Sequence, residues 1–277
     1  MLAIFDVQPT GERRFTGSSD AGARAVIDGS QALAQSLVAA SKALPERSVR
    51  SAHAVFARPL RAEAPIDFDV DVFHAGRSFA TAVVTVSQED RACATVTVLL
   101  DRPGPDVVRH ADAPPPAADP LDAIEVAMPM EGRELRVDGV ADPNDPAEIG
   151  PPELLAWLRY SEVPARDDLA KALLAHFTGH LGISTTLRHH AGVGTAMAHR
   201  AISTAVLTIG VAFHEPVRWD GWLLYRHESA HAGAGLSYVR GQVFTEGGDL
   251  LASFTQEGMI RAMAPEDEQA VPAAARL

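Results

Sequence analysis

FARPLRAEAPIDFDVDVFHAGRSFA, residues 56–80, and FHEPVRWDGWLLYRHESAHAGAGLS, residues 213–237, are two versions of one pattern. Phe56 aligns with Phe213, Pro59 with Pro216, His74 with His231 and Gly76 with Gly233, at a constant offset of 213 − 56 = 157. Identity is low, but the punctuation is kept: a proline, a strand, a His-x-Gly turn, then two more strands. One extra residue in the second copy carries the register on. CATVTVLLDR, residues 93–102, then lies beside LASFTQEGMIR, residues 251–261, which sets Val98 against Gln256.

Working outward, each copy reads as one helix followed by antiparallel strands. In the first, Asp28 is suited to an N-cap and Gln31 to the N3 place of a capping box. GSQALAQSLVAASKAL, residues 29–44, follows as an Ala- and Ser-rich helix with Leu33, Leu37 and Leu44 at helical spacing, and Pro45 marks its end. Small residues on most sides suit close wrapping by a sheet. Strands are expected in residues 48–59, 66–76, 78–90 and 92–102, the last two joined by a hairpin around Gln88 to Arg91. In the second copy, DDLAKALLAHFTGHLGISTTL, residues 167–187, carries Leu169, Leu173, Phe177 and Leu181 at four-residue spacing. Gly179 and Gly182 each cost about 1 kcal/mol against Ala inside a helix. They either permit close approach by a neighbour or mark a break. Strands follow in residues 201–216, 221–233, 236–248 and 250–261, with a β-turn at Glu246 to Asp249.

The Pro-, Ala- and Asp-rich run of residues 101–126 reads as a linker. The chain therefore divides into an N-terminal unit at 1–105, a linker at 106–130, a C-terminal unit at 131–265 and a frayed tail at 266–277. The fold class is α+β. Pairing two such units edge to edge would extend the sheet and hide two strand edges.

Composition narrows the function. A net charge of −12 makes nucleic acid or an anionic membrane poor partners. No apolar run reaches the roughly 18 residues of a membrane span, and the N-terminus lacks a basic segment followed by a long apolar one. A cytoplasmic protein is expected. The single cysteine, Cys93, excludes an internal disulfide and a Cys-based zinc site, and reads as a buried strand thiol.

LLASFTQEGMIR, residues 250–261, places Leu250, Ala252, Phe254, Gln256, Gly258 and Ile260 on one strand face. Gln256 is the polar exception. The first copy holds Val98 in its place, so the strand itself does not need an amide. A buried unpaired amide costs roughly 1–3 kcal/mol. Gln256 must therefore face water, a substrate, a polar neighbour or backbone.

Taken together, residues 24–100 and 152–261 resemble the acyl-CoA thioesterase II family. The most specific matches are the Q-E-G segment at Gln256 and the W-L-L-Y run at Trp222 to Tyr225. The resemblance implies a double hotdog, in which two fused repeats each wrap an antiparallel sheet around a long helix. It also implies hydrolysis of fatty acyl-CoA by an activated water, without a cofactor or metal. Association into homodimers or homotetramers is implied as well. In that family an Asp on the second helix, a Thr or Ser on the next strand and a Gln on the last strand orient the water. Gln256 falls on the Gln position. The Asp position reads Gly179 and the Thr position Val206; both are candidate substrate contacts. Thr178, His180 and Thr208 lie within a slip of one or two residues, and no carboxylate does. His180 is the candidate base, with an ordinary pKa near 6.5. Thr178 and Thr208 are candidate polar helpers. The alternative reading is a catalytically weakened acyl-CoA or acyl-chain binding protein. A hotdog enoyl-CoA hydratase ranks last, because no Asp and His pair lies near the second helix.

Other groups are weighed on their own chemistry. His176 and His180 share a helix face but lack the Glu of a zinc-protease pattern and a visible third ligand, so no metal is expected. His74 and His231 recur before Gly in both copies, which points to a turn role. Residues 188–200, RHHAGVGTAMAHR, gather cations that could meet CoA phosphates, as could Arg58 or Arg77.

Overall fold

Alternation decides which face of each strand is buried. In the segment from Ile66 to Ala75, Ile66, Phe68 and Val70 are buried while Asp67, Asp69 and Asp71 face water. The computed structural model describes residues 1–19, 25–62, 64–127 and 132–263, so the tail expected at 266–277 lies outside them.

The first half runs α1 (Leu2–Phe5), β1 (Gln8–Pro9), β2 (Arg14–Gly17), α2 (Gly29–Ala43), β3 (Ser48–Phe56), β4 (Ile66–Ala75), β5 (Phe79–Gln88) and β6 (Arg91–Asp101). The second runs β7 (Ile124–Glu125), β8 (Arg133–Val137), β9 (Glu153–Tyr160), α3 (Asp167–Phe177), α4 (Gly182–Leu187), β10 (Ile202–Phe213), β11 (Leu223–Gly233), β12 (Leu236–Thr245) and β13 (Leu250–Ala262). Among the described residues these strands form one sheet in the order β1-β2-β4-β5-β6-β3-β10-β13-β12-β11-β9-β8-β7. The halves meet at β3 and β10, where His53 sits directly opposite Gly210. These two are also mates under the sequence repeat, so a pseudo-twofold axis passes through this seam. The architecture is the double hotdog.

Helix α2 is buried all round: Ala32, Leu33, Ala34, Ser36, Leu37, Val38, Ala39 and Ala40 contact no solvent. Each fully buried Leu contributes about 1.5–3 kcal/mol. Its buried amide Gln35 donates to the carbonyls of Ile4 at 2.9 Å and Ser18 at 2.7 Å, which satisfies both Nε2 hydrogens. Helix α3 packs beside α2, with the C-terminal end of α3 next to the start of α2. At the other end, the buried Lys171 ammonium donates to the Val49 carbonyl at 2.9 Å and pairs with Asp167 at 3.0 Å.

Several features depart from the sequence reading. The second helix is broken: α3 stops at Phe177, Leu181 adopts φ 60°, and α4 restarts at Gly182. Strands β2, β8 and β9 precede the helices, and the two-residue β7 forms inside the segment read as a linker. The capping box at Asp28 does not form, because no side-chain cap bond is made there. The segment 188–200 is docked, with Arg188 donating to the Glu153 carbonyl at 2.9 Å and Thr195 to Asn144 Oδ1 at 2.5 Å. In both copies the repeated histidine follows a β-bulge, between Val72 and His74 and between Ser229 and His231. Each imidazole folds over the glycine two residues on.

Candidate active site

Strand β13 turns Gln256 inward between Phe254 and Gly258, opposite Ile209 on β10 and Val239 on β12. The residue is 2% exposed. Its Nε2 donates to the Gly179 carbonyl at 3.1 Å. A carbonyl only accepts, so this contact fixes which end of the amide is nitrogen. Oε1 then points at Gly182, and a β-carbon there would stand 1.5 Å from it. Among the described residues this buried acceptor has no hydrogen-bond partner. Both glycines thus have a packing reason. Gly179 also meets Ser30 of α2, whose Cβ would lie 2.5 Å from an added methyl group.

The segment 178–181 that receives the amide also carries His180. Its Nδ1 lies 3.0 Å from the His176 carbonyl and must donate to it, which leaves the lone pair of the neutral ring on Nε2. Nε2 faces Asp28 Oδ2 at 3.6 Å. The ring stacks on Phe177, centroids 5.3 Å apart and 8° from parallel. Asp28 therefore brings a carboxylate from the other repeat, which a search along the second helix could not find. Arg133 of β8 stands nearby, 5.8 Å over the Phe177 ring. Burial lowers its pKa, while Tyr160 and Asp28 act the other way. Tyr160 is itself pushed up to about 12 by burial. His227 on β11 is fully buried, 5.1 Å from the Phe254 ring, and burial pushes its pKa down to about 3, so it is neutral.

The other expected site residues are placed differently. Thr178 is buried with its hydroxyl bonded to the Ala175 carbonyl at 2.7 Å. Thr208 donates to Glu257 at 3.1 Å, on the opposite face from Gln256. A β-bulge between Val206 and Thr208 flips the alternation, so Val206 packs against the core and Thr208 faces away. Arg58 donates to the Ala92 carbonyl at 2.6 Å, and Arg77 is exposed in the β4–β5 turn. Neither hydroxyl is brought to the amide. Asp28, Arg133, Tyr160 and His227 were missed, and only Asp28 carried a sequence signal, as an N-cap. Two clefts lie beside Tyr160. One of 230 Å³ is lined by Met1, Leu2 and Leu173, the other of 510 Å³ by Arg133, Arg159 and Trp219; Gln256 lines neither.

Comparison with known proteins agrees with the fold. A family model for the acyl-CoA thioesterase N-terminal domain matches residues 18–100, and one for the C-terminal domain matches residues 105–260. Acyl-CoA thioesterase 2 of Haemophilus influenzae is 28% identical over 225 residues, covering 74% of this chain and 77% of the relative. The crystal structure of acyl-CoA thioesterase II TesB2 from Mycobacterium marinum superposes with a TM-score of 0.80 at 25% identity, covering 95% of this chain and 98% of that one. The tesB protein of Mycobacterium avium subs paratuberculosis gives the same TM-score of 0.80 at 25% identity, covering 94% and 97%. With both halves matched in order and the double hotdog in place, the chain belongs to the acyl-CoA thioesterase II family.

Proposed function

We propose that the chain hydrolyses fatty acyl-CoA to free fatty acid and CoA, using water activated at Gln256 and His180. The observation that carries this reading is the shared segment 178–181. It accepts the Gln256 amide at Gly179 and holds His180 one residue on. In the reaction a water oxygen attacks the thioester carbonyl carbon. Its proton passes to His180 Nε2, and Asp28 stabilises the imidazolium that forms. The C–S bond then breaks, and CoA leaves as a thiolate that recovers the proton. The amide orients the water or the developing oxyanion. Gly179 and Val206 border the acyl group, and Arg58 and Arg77 are assigned to the CoA phosphates. Water is the nucleophile, so the chemistry calls for no cofactor. The working unit is proposed to be a cytoplasmic homodimer or homotetramer. Among the described residues no helix is long and apolar enough to cross a membrane.

A second reading, an acyl-CoA binding protein with weakened catalysis, is favoured by one observation: the hydroxyls of Thr178 and Thr208 are both committed to protein partners. Thiol release from acyl-CoA esters of short to long chains, in wild type and Gln256→Ala, separates the two. Turnover that collapses in the variant supports hydrolysis. Binding of long-chain acyl-CoA without turnover supports the second reading.

A further inference from the structure

Three ligating side chains converge where α2 begins and α3 ends. His176 lies on the last turn of α3, His180 lies in the segment just past its end, and Asp28 reaches them from the other repeat. One ligating atom from each lies within 4.8 Å of the other two. The separation of Asp28 Oδ2 and His180 Nε2, 3.6 Å, is too long for a hydrogen bond. It is close to the roughly 3.3 Å that separates two ligands held about 2.0–2.1 Å from one tetrahedral ion. The bond from His180 Nδ1 to the His176 carbonyl is the outer contact that fixes Nε2 as the donor atom.

The surroundings suit a bound ion. Phe5 lies 5.3 Å from the His176 ring and Phe177 5.3 Å from the His180 ring, so two aromatic faces wall the cluster. The His176 and His180 rings themselves meet edge to face at 4.8 Å. Two imidazoles and one carboxylate form a donor set for zinc-type ions, and three protein ligands leave a fourth position for water. Arg133 is the charged neighbour that opposes a cation, since Asp28 is among the groups that act on it. Its guanidinium weakens the expected affinity.

We infer that Asp28, His176 and His180 form a binding site for one divalent first-row ion of the zinc kind. The site does not rest on the proposed hydrolysis, and its test reads binding alone; a bound ion takes up the His180 Nε2 lone pair that hydrolysis uses, so ion binding and base catalysis exclude each other in one molecule. The full chain, stripped with a chelator, is titrated with Zn²⁺ by calorimetry, and with Co²⁺ by visible absorption. One equivalent of Zn²⁺ is expected, with Co²⁺ bands of the intensity given by four-coordinate sites. Asp28→Asn, an isosteric change at a half-buried position, weakens Zn²⁺ by at least about tenfold. His176→Ala abolishes binding. Replacing His189 and His190 by Ala in the exposed neighbouring loop leaves the stoichiometry at one. The inference falls if wild type takes up no Zn²⁺. It also falls if Asp28→Asn binds as wild type does, or if the equivalent disappears with His189 and His190. Circular dichroism checks each fold, and where His176→Ala unfolds, Asp28→Asn decides.

Discussion

Gly182 and Gln256 compete for the same space: a single methyl group on Gly182 would stand 1.5 Å from the Gln256 Oε1. Gly182→Ala must therefore push the amide off the Gly179 carbonyl or shift the start of α4. The expected result is a loss of about 1–3 kcal/mol from overpacking, with thiol release falling alongside. Thermal melting and an acyl-CoA assay on the same preparation check it. Unchanged turnover would mean that the orientation of the amide does not matter to the reaction.

Gln256→Ala removes the inward-facing amide. Its rate of acyl-CoA hydrolysis should drop by about 10²–10³ if the amide supports the oxyanion or the water. Gln256→Met keeps the bulk and should show the same loss with a smaller change in melting temperature. A similar fall in melting temperature for both, with little loss of rate, would assign Gln256 to structure.

His227 links stability to acid. Its pKa falls from 6.5 in the unfolded chain to about 3 when buried. The unfolded state thus gains a proton first as pH drops. This contribution is complete above about pH 6.5 and is lost as pH falls toward about 3. His227→Leu should flatten the decline of melting temperature between pH 6.5 and pH 4. A decline as steep as that of wild type would rule out His227 as its source.

Tyr225 donates its hydroxyl to the Leu174 carbonyl at 3.1 Å, on the last turn of α3. The backbone there tightens, since Thr178 N–H bonds Ala175 instead. Tyr225→Phe should cost about 1–3 kcal/mol by stranding a buried carbonyl. Denaturant midpoints measure it, and hydrogen exchange at residues 174–178 should rise with it.

One change should stabilise the fold. Glu89 and Asp90, the two-residue turn between β5 and β6, have φ of 52° and 60°. A turn with both central residues in that region favours Asn-Gly. Glu89→Asn with Asp90→Gly should raise stability by about 0.5–1 kcal/mol, read as a higher melting temperature.

Which of these features could be read in advance follows from how local their causes are. The repeat, α2 and the β5–β6 hairpin were legible because alternation, capping types and turn residues act over a few positions. The break at Leu181 was legible only as one of two readings of Gly179 and Gly182, because the leucine spacing continues through the left-handed residue. Thr208 was misplaced by one unpaired residue in β10, which no propensity marks. Asp28 joined His180 only through the packing of α2 against α3. Its role as an N-cap gave the position but not the partner. The family resemblance singled out Gln256 and offered no carboxylate near it, since Asp28 lies in the opposite repeat.

The seam at His53 and Gly210 has an evolutionary side. Two identical subunits related by symmetry must carry the same residue at equivalent places. Covalent fusion releases that constraint. The mate of Gln256 is Val98, which is fully buried and flanked across the sheet by Ala52 and Ala82. One duplicate was thus free to keep an apolar residue at this position while the other acquired a buried amide. Asp28 shows that the divergence is shared work: the first copy lends back a single charged atom group at the point where its helix begins.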